Sequence, residues 1–401
     1  MPRLTTILIP LLLWLAPAPA QQSAKPELFE EMDGILAELS KFTGWKAPRK
    51  VDSDTITKDG LKQFLEDRMK EIVKPEELHA EELSLKKLGL VPKTFDLRKT
   101  TVDLLTEQAA AFYDYRKKKL FILDTNATIT QKPVLVHELA HALADTQVSL
   151  EKYIFKSRSD DSALARQAVM EGQATWLMSE YIMSRMGGSL TKSPEMVDVM
   201  SRMAGSSAGA FPVFDSVPLY LRESLMFPYT KGFAFQQAVV LKLGKEGFLE
   251  VFRNPPRSSQ QIIHPDKYFD KIQPTKPPLP KASTKGYTGV VEGTVGEFDH
   301  EILFRQYGGE ADAKLARKWR GAEFRIFENK KDKSRAVLLY ASDWQDEKAA
   351  RDVFRLYKKV LQGKSKTFTL DRESDSEMEG TIDGGRFLVR LQSTLVSSVE
   401  Y

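Results

Sequence analysis

Between Val134 and Ala144 nearly every residue is apolar, and into that run the chain sets His137, Glu138 and His141. A helix that is hydrophobic on all sides belongs in a protein interior. Two imidazoles and a carboxylate carried inside with it lose their water, and such groups need partners to replace it. The spacing says what the partner is. Residues four apart lie one above the other on a helix face. His137 and His141 can therefore direct ring nitrogens at one cation, while Glu138 reaches a water held by that cation. Two of the chain's five histidines sit here.

A catalytic zinc needs a third protein ligand and an open fourth position. The 401 residues include no cysteine, so thiolate ligands, disulfides and a cysteine nucleophile are excluded together. Glu171 is the candidate, thirty positions beyond His141 in the helical, mostly apolar segment Ala168-Val169-Met170-Glu171-Gly172-Gln173-Ala174-Thr175-Trp176. A carboxylate there is costly to bury without a cation. Ala168 and Gly172 are small enough to let this helix approach the first one closely. Glu180 is the poorer candidate, because Ser179 and its neighbours suggest a more polar surface. One Zn2+ on His137, His141 and Glu171 is the expected cofactor.

The N-terminus reads as an export signal. Arg3 is followed by an apolar stretch from Leu4 to Ala16, too short to span a bilayer comfortably, and by the small-x-small pattern Ala18-Pro19-Ala20. Residues 1–20 are expected to be a signal peptide cleaved after Ala20, with no stable membrane insertion afterwards; an uncleaved anchor is the competing reading. A cysteine-free exported chain fits a bacterial periplasmic or extracellular protein, although Asn126-Ala127-Thr128 would serve as a glycosylation site in a eukaryotic route. The formal charge of +4, set against 59 basic and 55 acidic side chains, makes no case for nucleic-acid binding. The densest basic run, Arg116-Lys117-Lys118-Lys119, falls where a hairpin turn is expected.

The fold class predicted is α+β. Residues 21–253 read as a mainly helical catalytic domain with a small edge hairpin, 254–290 as a proline-rich linker or wrapping segment, and 291–401 as a small α+β domain. Helices are predicted over Pro26–Leu39, Lys58–Ile72 and Glu76–Leu88, the last ending at Gly89. A hairpin joins Ala110–Tyr113 to Leu120–Leu123. Pro133 opens a helix running to about Phe155, and Ser162 caps another through Met186, stopped by Gly187-Gly188. Gly232–Leu243 and Glu246–Phe252 form a further helical pair. No regular element is predicted between Asn254 and Lys285, where prolines cluster. Helices follow near Val295–Tyr307 and Ala311–Trp319, strands over Glu323–Phe327 and Ala336–Tyr340, and a helix over Asp346–Leu361. Strands around Thr367–Leu370, Glu379–Ile382 and Phe387–Leu391 close the chain. Trp319, Trp344 and Tyr357 are expected in the core.

A His-Glu-x-x-His helix followed by a glutamate on a second helix resembles the gluzincin metallopeptidases, the clan of thermolysin and the aminopeptidases. Phe227-Pro228-Tyr229-Thr230-Lys231-Gly232-Phe233-Ala234 is similar to the Pro-Tyr-x-Lys-Gly-Phe-Ala segment of the alanyl-aminopeptidase-like branch, in which the tyrosine stabilises the tetrahedral oxyanion; Tyr229 is the matching position. The arrangement also resembles secreted bacterial members of this clan with a His-Pro-x-Lys-Tyr segment, here His264-Pro265-Asp266-Lys267-Tyr268. The likeness covers about Leu88 to Tyr268. It implies a zincin-like fold and a zinc-dependent enzyme acting on a peptide or protein substrate, with Glu138 as the base and Tyr229 as the oxyanion donor.

The departures shape the expectation. The interval from His141 to Glu171 is longer than in thermolysin, and Thr175 stands where thermolysin-like enzymes place an aspartate. Asp145, one turn beyond His141, is the alternative group for orienting an imidazole. The amine-anchoring Gly-x-Met-Glu-Asn motif of the aminopeptidases is absent, and Ala110-Ala111-Phe112-Tyr113 offers no carboxylate to a free N-terminus, which favours an endopeptidase. The strand of Phe112 and Tyr113 can bind an extended substrate by pairing with it. His264 is expected either to contact substrate or to bond backbone carbonyls in a structural role. The alternative to an enzyme is a metal-binding or envelope-interaction module without turnover. Nothing in the sequence sets the oligomeric state.

Overall fold

The computed structural model describes residues 31–124, 131–157, 159–204 and 211–401. The expected signal peptide, the start of the first predicted helix at Pro26 and the Asn126-Ala127-Thr128 site lie outside the described residues. The class is α+β, with a three-stranded and a seven-stranded sheet.

Four helices open the described chain: α1 (Met32–Thr43), α2 (Lys58–Ile72), α3 (Pro75–Leu88) and α4 (Leu97–Gln108). Gly89 ends α3 in the left-handed region at φ 83, as its sequence position predicts. The helix α4 is an addition. Its apolar residues alternate with Thr100 and Thr101, which are poor helix formers, but Asp96 caps its first turn by accepting from Lys99 N at 2.8 Å. Strand β1 (Asp52–Ile56) is also an addition, since two aspartates in five residues argue against a strand. It pairs in parallel with β3 (Lys119–Leu123), whose other side carries β2 (Ala111–Asp114), so the predicted hairpin is present and β2 is an edge strand. The basic run forms the hairpin turn and is pinned rather than free: Arg116 pairs with Glu71 and Glu151, and Lys118 with Asp145.

The His-Glu-x-x-His sequence lies on α5 (Gln131–Asp145). The helix predicted to reach Phe155 is broken there. Asp145 Oδ1 accepts from Leu150 N at 3.0 Å, and Ser149 caps a separate short helix, α6 (Leu150–Phe155). Helix α7 (Asp160–Arg185) is the longest, capped by Ser159 rather than by Ser162, which completes the capping box from the third helical position. The next helices are α8 (Glu195–Ala204), α9 (Pro212–Ser216) and α10 (Leu219–Phe227). A π-helical turn over Pro228–Gly232 then leads into α11 (Phe233–Leu243) and α12 (Gly247–Arg253). The turn has a local cause. Pro228 has no N–H to give Ser224 O in the preceding turn, and the Thr230 hydroxyl donates to Met226 O at 2.9 Å.

Within the proline-rich stretch the structure adds two one-turn helices, α13 (Ser259–Ile263) and α14 (Pro265–Phe269). Thr275 then ties the extended part to the sheet, its N–H donating to Arg320 O at 2.9 Å. Beyond it come β4 (Tyr287–Thr294), α15 (Glu297–Gly308), α16 (Glu310–Ala313), β5 (Trp319–Asn329), β6 (Ala336–Trp344), α17 (Glu347–Lys364), β7 (Phe368–Glu373), β8 (Glu377–Ile382), β9 (Gly385–Gln392) and β10 (Leu395–Glu400). The sheet order is β4-β5-β6-β10-β9-β8-β7, antiparallel throughout. Strands β4 and β10 were not anticipated. Nor does the helix predicted to Trp319 persist, because Lys314–Lys318 tightens to a 3-10 turn and Trp319 opens β5. Trp319, Trp344 and Tyr357 are core residues, as predicted. The two halves share apolar packing, with Phe227 of α10 and Phe298 of α15 4.8 Å apart between ring centres.

One buried ion pair in the sheet half bears on acid stability. Glu400 bonds Lys364 Nζ at 2.6 Å and accepts from Tyr357 OH at 2.7 Å. Burial pushes its carboxyl up, but the Lys364 and Lys87 charges and these hydrogen bonds outweigh burial and lower it. A carboxylate lowered on folding contributes stability above its unfolded value of about 4.5, and that contribution is lost as pH falls further. Glu400→Gln strands Lys364 and is expected to cost about 3–5 kcal/mol near neutrality. Urea melts at pH 7 and pH 4 should then show a smaller loss on acidification than the wild type; an equal acid loss in both proteins would exclude this origin.

Candidate metal centre

Three buried donor atoms converge. His137 Nε2 lies 3.1 Å and His141 Nε2 3.3 Å from Glu171 Oε2, and the two imidazole nitrogens are 3.0 Å apart. This near-equilateral triangle resembles a ligand set. A cation bound at about 2.0–2.1 Å in tetrahedral geometry separates its donors by about 3.3 Å. Two nitrogens and a carboxylate oxygen also form a donor set that suits a divalent transition metal. His137, His141 and Glu171 could hold one metal ion.

Helix α5 supplies both histidines from one face, and α7 crosses it to bring Glu171 over them. The close approach predicted from Ala168 and Gly172 is real, but it accommodates a different partner. A Cβ on Gly172 would lie 2.2 Å from the carbonyl carbon of Gly232, and one on Gly232 would lie 2.2 Å from Ala168 O. The small residues thus admit the π-helical turn rather than α5. That turn carries Tyr229, whose ring centre is 6.1 Å from that of His137. Helix α7 is further fixed by polar anchors the sequence did not reveal. Gln173 Nε2 donates to Phe248 O at 2.9 Å, and Trp176 Nε1 to Gln237 Oε1 at 2.6 Å. Glu180 is buried, not on a polar surface, and holds the following loop by accepting from Ser189 Oγ and Leu190 N.

The electrostatics follow from burial. His137, Glu138 and Glu171 are each 0% exposed. Burial drives His137 down to about 4 and Glu138 up to about 8. For Glu171 burial acts upward, but the charge on His141 and hydrogen bonds from both imidazoles outweigh it, bringing the carboxyl to about 2. The same pairing raises His141 against the effect of its burial. Burial raises the Tyr229 phenol far above its ordinary value, with the carboxylates of Glu171 and Glu138 adding to it.

Glu138 points at the edge strand. Its Oε2 accepts from Tyr113 N at 2.7 Å, while Oε1 is buried without a partner among the described residues. Phe112 and Tyr113 are both buried. The Phe112 ring stacks on Phe121 at 5.0 Å and meets Phe64 at 4.8 Å, whereas Tyr113 OH donates to Asp145 Oδ2 at 3.0 Å. Asp145 also receives Lys118 and Leu150 N; its charge helps raise His141, but its hydrogen bonds run to these groups. His137 Nδ1 is buried without a partner among the described residues. His264 stands apart, its Nε2 bonded to Glu297 Oε1 at 2.7 Å, which joins α14 to α15 through a carboxylate rather than a backbone carbonyl.

Comparison with protein-family models, with curated proteins and with solved structures found no match.

Proposed function

We propose that the chain is an exported zinc metallopeptidase that cleaves peptide bonds within a chain. The observation that carries this reading is the buried triangle of His137, His141 and Glu171 with Glu138 at its side. Zinc bound there would polarise a water and the scissile carbonyl. Glu138 takes the proton of the attacking water and returns it to the leaving amine. Tyr229, protonated across the physiological range, donates to the oxyanion. The Tyr113 N–H, now held by Glu138, is available to an extended substrate once Glu138 turns toward the water. The carboxylate on that strand, Asp114, is engaged by Arg68 at 2.7 Å, which supports endo- over aminopeptidase action.

The depth of the site favours the other reading, a metal-holding or envelope-interaction module without turnover. Retention of Glu138 speaks for the enzyme, since that residue is not needed to bind the metal. No helix among the described residues is long and apolar enough to cross a membrane. The test uses protein recovered from the bacterial periplasm. Its intact mass should begin at Gln21, plasma emission spectrometry should find one zinc per chain, and a peptide library should be cleaved internally. His141→Ala should lose the zinc. A wild type without zinc removes the site, and a zinc-loaded wild type that cleaves nothing establishes the inert module.

A further inference from the structure

A cavity of about 510 Å3 opens between the end of α3 and the sheet half, far in sequence from the candidate metal centre. Lys86, Lys87 and Lys93 line it from the helical half, Arg335 from the β5–β6 hairpin and Lys364 from the end of α17. Two acidic side chains face these five bases, Asp383 and Glu400. Both acids are already engaged, Asp383 by Lys93 and Glu400 by Lys364. Lys86 is paired with Glu82 outside the cavity lining. Lys87 is different. Its ammonium donates to the backbone oxygen of Ala336 at 2.8 Å, and among the described residues no carboxylate lies within ion-pair distance. Burial lowers its amine to about 8, although the Glu400 and Asp383 charges act to raise it, so the carboxylates facing the cavity offset only part of the effect of burial and of the neighbouring lysines. Arg335 makes no direct ion pair among the described residues, only a longer-range interaction with Asp332, and it is exposed at the cavity rim.

A part-buried ammonium with no carboxylate in direct contact is only partly compensated, and an anion entering the cavity would compensate it further. We propose that this cavity binds a small phosphorylated anion, with Lys87 and Arg335 as the principal contacts and Lys86, Lys93 and Lys364 completing the positive wall. A phosphate offers three strong acceptor oxygens in different directions, which suits cations arriving from four separate segments better than a planar carboxylate does. Because Lys87 belongs to the helical half and Arg335 to the sheet half, the ligand would bridge the two.

The test is calorimetric titration of the purified full chain with glycerol phosphate, with succinate as the dicarboxylate control at matched ionic strength. Lys87→Met and Arg335→Ser should each weaken glycerol phosphate binding about tenfold. Lys348→Met, on the exposed face of α17, should leave it unchanged. Lys87→Met gives up the bond to Ala336 O and the charge that acts on Glu400, so a thermal melt by circular dichroism checks that it is folded under the titration conditions. Arg335→Ser lies at the surface and provides an independent route. The ligand's source is read with vesicles. Lys87-dependent binding to phosphatidylglycerol but not phosphatidylcholine identifies a lipid headgroup, and binding of glycerol phosphate alone identifies a soluble phosphoester; either result upholds the site. Absence of both, binding that survives both substitutions, or equal affinity for succinate overturns it.

Discussion

Glu138→Gln is expected to retain the zinc and to lower peptide cleavage by about a hundred- to ten-thousandfold. The substitution keeps the shape of the side chain and its acceptor toward Tyr113 N, so α5 and the triangle of ligand atoms should stand. What it removes is the carboxylate that takes up the water's proton. The comparison is kcat/KM for one internally cleaved peptide, with zinc content measured on the same samples. Equal activity in the two proteins would sink the mechanism, whereas a loss of activity that follows loss of zinc would make Glu138 a structural support of the site.

Gly172→Ala should be, with Gly232→Ala, among the most damaging single methyl groups in the helical half. Its Cβ would meet the Gly232 carbonyl carbon at 2.2 Å, and the obstacle is backbone, which cannot rotate aside. Overpacking of this kind costs about 1–3 kcal/mol and sometimes more. Glu171 is the neighbouring residue and Tyr229 rides on the opposing turn, so relief of the clash pulls both away from the histidines. We expect a lower urea midpoint together with a weakened zinc affinity. Gly34→Ala is the control. That glycine sits in α1 with nothing near its missing Cβ, and alanine there should be neutral or stabilising by up to about 1 kcal/mol. A Gly172→Ala protein as stable and as zinc-loaded as the wild type would refute the close-packing account.

These two substitutions probe different layers of legibility. His137, Glu138 and His141 could be read from the chain because helix periodicity is local, and Glu171 because a carboxylate in an apolar helix needs a cation. Tyr229 was reached through a resemblance, and the structure sets its ring beside His137. The break between α5 and α6 escaped the reading because it depends on Asp145 reaching forward to Leu150 N, a bond that helix periodicity does not encode. Strand β1 escaped because Asp52-Ser53-Asp54 has little strand propensity, and pairing with β3 overrides it. Asp145 and His264 were recognised as polar residues needing partners, but their partners, Tyr113, Lys118 and Glu297, come from distant segments.

By itself, the sequence determined the α+β class, the buried helix and the three side chains that could hold a metal ion, because these follow from composition and from a repeat of 3.6 residues. Only the tertiary structure decided that the three donor atoms meet within 3.3 Å, that Gly172 admits the turn bearing Tyr229, and that Lys87 is left facing a basic cavity. Distances between segments thirty or more residues apart depend on how helices cross and which backbones touch, and no local rule of spacing or propensity contains that information.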